Sequence, residues 1–141
     1  MQTFLPLPDF AASARVLDTR RLGKQRIEAW QILATLSGAS SGWANHPAVR
    51  MWRATPYALA LYGTVICDEW RARGHEDAMR PRFDAILATH FAAGGFCLPR
   101  WFGDDAFHAA HRCNLLRKDA AWYGQFGWGE PPDLPYFWPE P

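Results

Sequence analysis

The sequence is short of several things, and each shortage closes off a class of protein. No apolar run approaches the ~18–20 residues that a membrane-spanning helix needs, and no apolar stretch ahead of a cleavage site marks a leader. Cysteine is scarce: Cys67, Cys97 and Cys113 are odd in number and widely spaced, with no CxxC pair. That argues against a disulfide framework and against zinc held by paired cysteines, and the simple expectation is reduced thiols in a cytoplasmic protein. Surplus charge is nearly missing, with a net charge of +1, so there is no global pull toward nucleic acid or a membrane surface. No segment alternates polar and apolar residues with a sustained period of two, so essentially no sheet is expected. Internal repeats and low-complexity linkers are absent too.

What is present fits one folded unit. The chain has 141 residues, of which 49% are hydrophobic and 15% aromatic, with eight tryptophans. A core can form without staples, and residues 1–141 read as a single domain. The charge is uneven. Residues 1–53 carry seven basic side chains (Arg15, Arg20, Arg21, Lys24, Arg26, Arg50, Arg53) against Asp9, Asp18 and Glu28. A positive N-terminal part on a neutral chain points to a local anion site.

Helix signals recur along the chain. Pro6 and Pro8 keep the first residues extended. Asp9 caps a short helix to about Leu17, and Asp18 or Thr19 a longer one to about Leu36. Ser37 to Ser41 is a loop. Asn45 is expected to cap a helix opened by Pro47 and running to about Arg53. Thr55-Pro56 opens the next, to about Arg73, with Gly74 as its stop. A weaker helix covers about Arg82 to Ala92 before Gly94-Gly95, and Asp104-Asp105 opens a last one to about Lys118. Trp122 to Pro141 reads as an irregular tail rich in aromatics and proline. The expected fold is all-α: a compact bundle of about five to six helices.

On the helix over 18–36, at a period of ~3.6, Leu22, Ala29, Leu33 and Leu36 share one face, with Ile32 at its edge. Arg21, Gln25 and Glu28 lie next to that edge and Lys24 one step further out. A carboxylate held at a core boundary among cations can stabilise a developing positive charge or move a proton. The same spacing also fits a solvated face of i,i+4 pairs.

On the last helix His108, His111, Arg112 and Leu115 share a stripe, followed by Arg117 and Lys118. These side chains suit phosphate or base edges. They also suit capping and surface roles, since a cation near a helix C-terminus is favourable whatever the function. His108 and His111 with His46 supply three imidazoles, but no acidic residue completes a known metal motif, so no metal and no cofactor is expected. Trp122-Tyr123, with glycines and rings after them, fits a stacking platform or a cover for the core.

The stretch Leu17-Asp18-Thr19-Arg20-Arg21-Leu22-Gly23-Lys24-Gln25-Arg26-Ile27-Glu28 resembles the first catalytic helix of the pyrimidine-dimer DNA glycosylases of the endonuclease V type. Gly42-Trp43-Ala44-Asn45-His46-Pro47, Met51-Trp52, the run from His108 to Lys118 and the aromatic segment from Trp122 are similar to a broader bacterial and phage branch. The resemblance implies a compact all-α domain that enters a damaged site from the minor-groove side and kinks the duplex. It implies catalysis by Glu28 with Arg21, and a Schiff base formed by the α-amine of the N-terminus, Met1, or Gln2 after trimming. Gln2 stands where the lyases carry a small hydroxyl residue. The implied DNA contacts are Arg20, Lys24, Arg26, Asn45, His46, Arg50, His108, His111, Arg112, Arg117, Lys118, Trp122 and Tyr123. The expected partner is double-stranded DNA with a damaged or modified base, bound by a monomer, with no membrane. A non-catalytic nucleic-acid-binding module and a metal-dependent nucleotide hydrolase remain as alternatives.

Overall fold

The computed structural model describes residues 1–39, 42–93 and 97–141, the side chains of residues 90–93 excepted. Among the described residues every regular element is helical: α1 (Phe10–Val16), α2 (Thr19–Leu36), α3 (Pro47–Arg50), α4 (Pro56–Ala72), α5 (Arg80–Ala93), α6 (Asp105–Lys118) and α7 (Ala120–Tyr123), then a 3-10 turn at Gly124–Phe126. The expected all-α bundle is present; the one element added to those expected is the single-turn helix α7 with the 3-10 turn after it, which occupies the start of the stretch expected to be irregular from Trp122. No helix among the described residues is long and apolar enough to cross a membrane.

The helix starts follow their caps. Asp9 accepts from Ala12 N, Asp18 from Arg21 N and Asp104 from Ala106 N, each satisfying an amide that the helix leaves unpaired. Gly74, with φ of +91°, ends α4 in the left-handed region. Two boundaries are corrected. The cap of α3 is His46, not Asn45, because Pro47 takes the first helical position and has no N–H; His46 Nδ1 accepts from Ala48 N instead. That helix is a single turn ending at Arg50, short of Arg53. The weaker helix begins two residues early, at Arg80, whose N–H donates to Asp77. The Gly94-Gly95 stop and the Ser40-Ser41 end of the expected loop lie outside the described residues.

The core is built on α2 and α4. Leu22, Ala29 and Ile32 from one meet Leu59, Tyr62 and Ile66 from the other, all fully buried. Each large aliphatic among them contributes roughly 1.5–3 kcal/mol of burial. Helix α5 packs tightly on α4 because Gly63 has no side chain. A Cβ there would stand 2.4 Å from Cε1 of Phe83, so the helix accepts the ~1 kcal/mol propensity cost of an interior glycine.

Residues 1–7 pass through the bundle without regular structure, bending from Pro6, and no strand lies beside them among the described residues. Buried backbone must still be paired, and here side chains do it. Gln25 serves Gln2 O and Phe4 N, Tyr62 serves Phe4 O, and His111 and His108 serve the N–H and C=O of Leu5. Arg112 donates to Pro6 O, and Ser13 exchanges bonds with Leu7. Thr3 Oγ1 accepts from Trp52 Nε1 at 3.0 Å. This threading brings the start of the chain to α2.

Candidate active site

Turning Leu22, Ala29 and Ile32 into the core leaves Gln25 and Glu28 at the edge of the buried face. Gln25 is 1% exposed and Glu28 7%. A buried carboxylate is costly unless it is paired and hydrogen-bonded, and Glu28 is both. Its Oε2 accepts from Gln25 Nε2 at 3.1 Å and from the backbone nitrogen of Gln2 at 3.3 Å. Its Oε1 lies 3.5 Å from Nζ of the exposed Lys24. Beside it opens a hollow of about 300 Å³ lined by Met1, Gln2, Phe4, Arg20, Arg21, Lys24, Gln25, Glu28 and Lys118.

The hollow thus holds one carboxylate, four cationic side chains and the start of the chain. The nitrogen seated on the carboxylate belongs to Gln2; Glu28 is ion-paired with Lys24, not with the Met1 ammonium. Arg21 is steadied from below by Asp18, 3.1 Å from its guanidinium. A larger apolar hollow of about 460 Å³ lies toward the far end of α2, bordered by Leu33, Leu36, Val49, Pro56 and Ile86. Arg53 is its one charged lining residue among those described, and it offers no carboxylate or amine for chemistry.

Of the residues singled out from the sequence, the fold gathers Met1, Arg20, Arg21, Lys24, Glu28 and Lys118 at this hollow. The others stand elsewhere or are engaged by the protein itself. Arg26 is 2.6 Å from Asp77 and stacks over the Trp70 ring. Arg50 Nη2 donates to both carboxylate oxygens of Glu140, at 2.8 and 2.7 Å. Arg112 pairs with Glu130, and Arg117 donates to the carbonyls of Pro132 and Leu134. Trp122 donates to Val16 O, while Tyr123 is fully buried against Asp18. Asn45 is exposed. His46 sits edge-on between the rings of Trp43 and Trp138. Its pKa is lowered by partial burial and then by the charge of the Met1 ammonium, which puts the chain start within electrostatic reach.

His108 and His111 face inward. Gly103 N–H donates to His108 Nε2 at 3.0 Å, so Nδ1 carries the proton given to Leu5 O. His111 Nδ1 accepts from Leu5 N, which leaves its proton on Nε2. Among the described residues no three His, Cys, Asp or Glu side chains come together as a metal-binding group. Gln25 and Tyr62 complete the site, and the sequence pattern assigns a role to neither. The one local signal is a glutamine one turn before the glutamate, on its stripe; Tyr62 has none, because its link to Gln25 spans 37 residues.

The arrangement is that of an all-helical domain with a buried carboxylate, an adjoining chain start and a cationic rim. The chain belongs to the pyrimidine dimer DNA glycosylase family, whose model matches residues 1–81. That span contains every residue lining the hollow except Lys118. No curated protein and no solved structure matches the chain.

Proposed function

We propose that this protein is a DNA N-glycosylase that releases a damaged or modified base, such as a pyrimidine dimer, from double-stranded DNA, with Glu28 as its catalytic carboxylate. The observation that carries this reading is the buried Glu28 carboxylate with the position-2 nitrogen 3.3 Å from it at a cationic hollow. Arg20, Arg21, Lys24 and Lys118 hold backbone phosphates, each adding ~0.9 to the log–log salt slope. The target nucleotide, or its partner, turns out of the stack at a cost of roughly a few kcal/mol, least where a lesion has already weakened stacking. As the bond from C1′ to the base breaks, the base leaves with the bonding pair and positive charge develops on the sugar. Glu28 stabilises that charge and takes the proton of the water that adds to C1′.

The nitrogen at position 2 decides the fate of the sugar. While Met1 is attached it is an amide, whose lone pair is delocalised, and it serves only to hold Glu28. Removal of Met1 turns the same atom into an α-amine, with an unperturbed pKa near ~8. It can then attack C1′ as the base leaves with its bonding pair; the nitrogen loses a proton, the C1′–O4′ bond breaks with its electrons and a proton going to O4′, and the imine forms, after which loss of a C2′ proton expels the 3′ phosphate and opens the strand. Borohydride is therefore expected to trap a protein–DNA adduct with chains that begin at Gln2 and not with chains that begin at Met1; trapping only with chains that begin at Met1 moves the nucleophile to Met1, and trapping by both means that the α-amine of either residue reaches C1′.

Glu28→Gln tests the central claim. It is expected to bind lesion duplex within a fewfold of wild type and to release base ~10²–10³-fold more slowly, the range for losing one well-placed charge-stabilising group. Base release at the wild-type rate would remove Glu28 from the reaction. Binding with no base release by wild type from any lesion duplex would leave a DNA-binding domain in place of an enzyme.

A further inference from the structure

Gln25 uses its whole amide. Nε2 donates to Gln2 O at 3.0 Å and to Glu28 Oε2 at 3.1 Å. Oε1 accepts from Phe4 N at 2.9 Å and lies 2.8 Å from the Tyr62 hydroxyl. An N–H on the Oε1 side and acceptors on the Nε2 side fix which way the amide points. Two of these bonds do for residues 2 and 4 what a neighbouring strand does for an extended backbone. A residue needed only to anchor the segment would stop there. The remaining N–H of Gln25 goes instead to the carboxylate, on the same oxygen that accepts from Gln2 N. Both donors fall on Oε2, so Oε1 is left toward the exposed Lys24.

We infer that Gln25 is a positioning residue: one buried amide sets the position-2 nitrogen and the Glu28 carboxylate relative to each other. The inference rests on the glycosylase reading for its reaction, but not for its geometry. Tyr62, buried on α4, fixes the amide from behind by sharing its hydroxyl between Phe4 O and Gln25 Oε1. Gln25 borders the hollow, but it is 1% exposed and its amide is fully engaged within the protein.

The test takes Gln25→Met, which keeps the volume, and Gln25→Glu, which keeps the shape. Folding is checked by circular dichroism at each pH. Gln25→Met is expected to lower kcat about 10²-fold, the scale for a misplacement near 1 Å, with KM for lesion duplex changed less than about threefold. Gln25→Glu offers a donor only when its new carboxyl is protonated. Its kcat relative to wild type is therefore expected to recover as pH falls. Wild-type kcat in folded Gln25→Met, or a loss confined to KM, overturns the inference.

Amide hydrogen exchange supplies a readout independent of activity. In Gln25→Met, Phe4 is expected to lose protection while Leu5, held by His111, keeps it. Unchanged protection at Phe4 overturns the clamp whatever the activity. Loss of Phe4 protection together with an inactive wild type overturns the glycosylase reading, and with it the catalytic consequence, while the clamp stands.

Discussion

Tyr123 and Asp18 hold each other twice. The phenol donates to the Asp18 carboxylate and accepts from Asp18 N at 3.0 Å. Burial pushes the Asp18 carboxyl up, but the bonds from Tyr123 and Arg21 outweigh it and hold the pKa below the usual carboxylate range. Burial, and then the bond to Asp18, raise the Tyr123 phenol. Asp18 also caps α2 and steadies Arg21 at the rim of the hollow. Tyr123→Phe removes one partner and leaves a buried carboxylate short of a donor. It is expected to cost about 1–3 kcal/mol, read as a lower urea midpoint with an unchanged slope. No change in midpoint would show that the phenol contributes packing alone. A tyrosine beside a tryptophan and a glycine fits a base platform in sequence. Its use inside the fold depends on Asp18, 105 residues away, which no local pattern reveals.

At the scale of elements, residues 1–7 are tied to α6 by His108 and His111: His111 must be neutral to accept from Leu5 N, and His108 must be neutral to accept from Gly103 N, although its own donation to Leu5 O does not require it. His111 is pushed down to about 3, by burial first and then by the charge of His108. His108 is also lowered; burial dominates and Arg112 adds to it, against the Leu5 carbonyl, Asp104 and Asp105, which pull it up. A histidine with a depressed folded pKa gives its full stability above the unfolded value of ~6.5 and loses it as pH falls toward the folded value. In that window the unfolded chain binds protons that the native rings refuse, at up to ~1.4 kcal/mol per pH unit for each ring. Stability by urea denaturation is therefore expected to fall steadily from about pH 6.5 to about 4.5, above the range where most carboxylates titrate. Leu5 amide exchange should speed up alongside it. A flat profile across that interval would mean that these rings accept protons in place. The elements themselves were legible because their signals are local: Asp9, Asp18 and Asp104 as caps, Pro56 at a first turn, Gly74 as a stop. The Asn45 cap slipped by one residue because His46 is an uncommon cap, and only the position of Pro47 in the first turn decides between them.

Across the whole molecule two groups of basic side chains have different surroundings, and the sequence could not separate them. Arg20, Arg21, Lys24 and Lys118 line the hollow, whereas Arg50, Arg112 and Arg117 are held by residues 130–140. The tail has no period and its partners lie up to 90 residues away, so its course had no signature to read. Tyr136, raised by burial, feels the charges of Arg117 and Arg21, and Trp138 meets His46 edge-on at 6.0 Å. The tail therefore runs within reach of the site's own cations, and its Glu140 accepts from Nη2 of Arg50. Both partners of that pair are substantially exposed, at 43% and 69% of their side chains, and exposed pairs are worth only ~0–1 kcal/mol. A DNA phosphate can take the place of that carboxylate on the guanidinium. If duplex reaches Arg50, it must displace Glu140. Glu140→Gln is then expected to tighten lesion-DNA binding by about twofold to fivefold, matching the loss of a pair of that strength. In Arg50→Gln the same change should give no gain, because the two effects share one contact. Equal gains in both backgrounds would assign the effect to net charge alone, and no gain in either would place Arg50 off the path of the DNA.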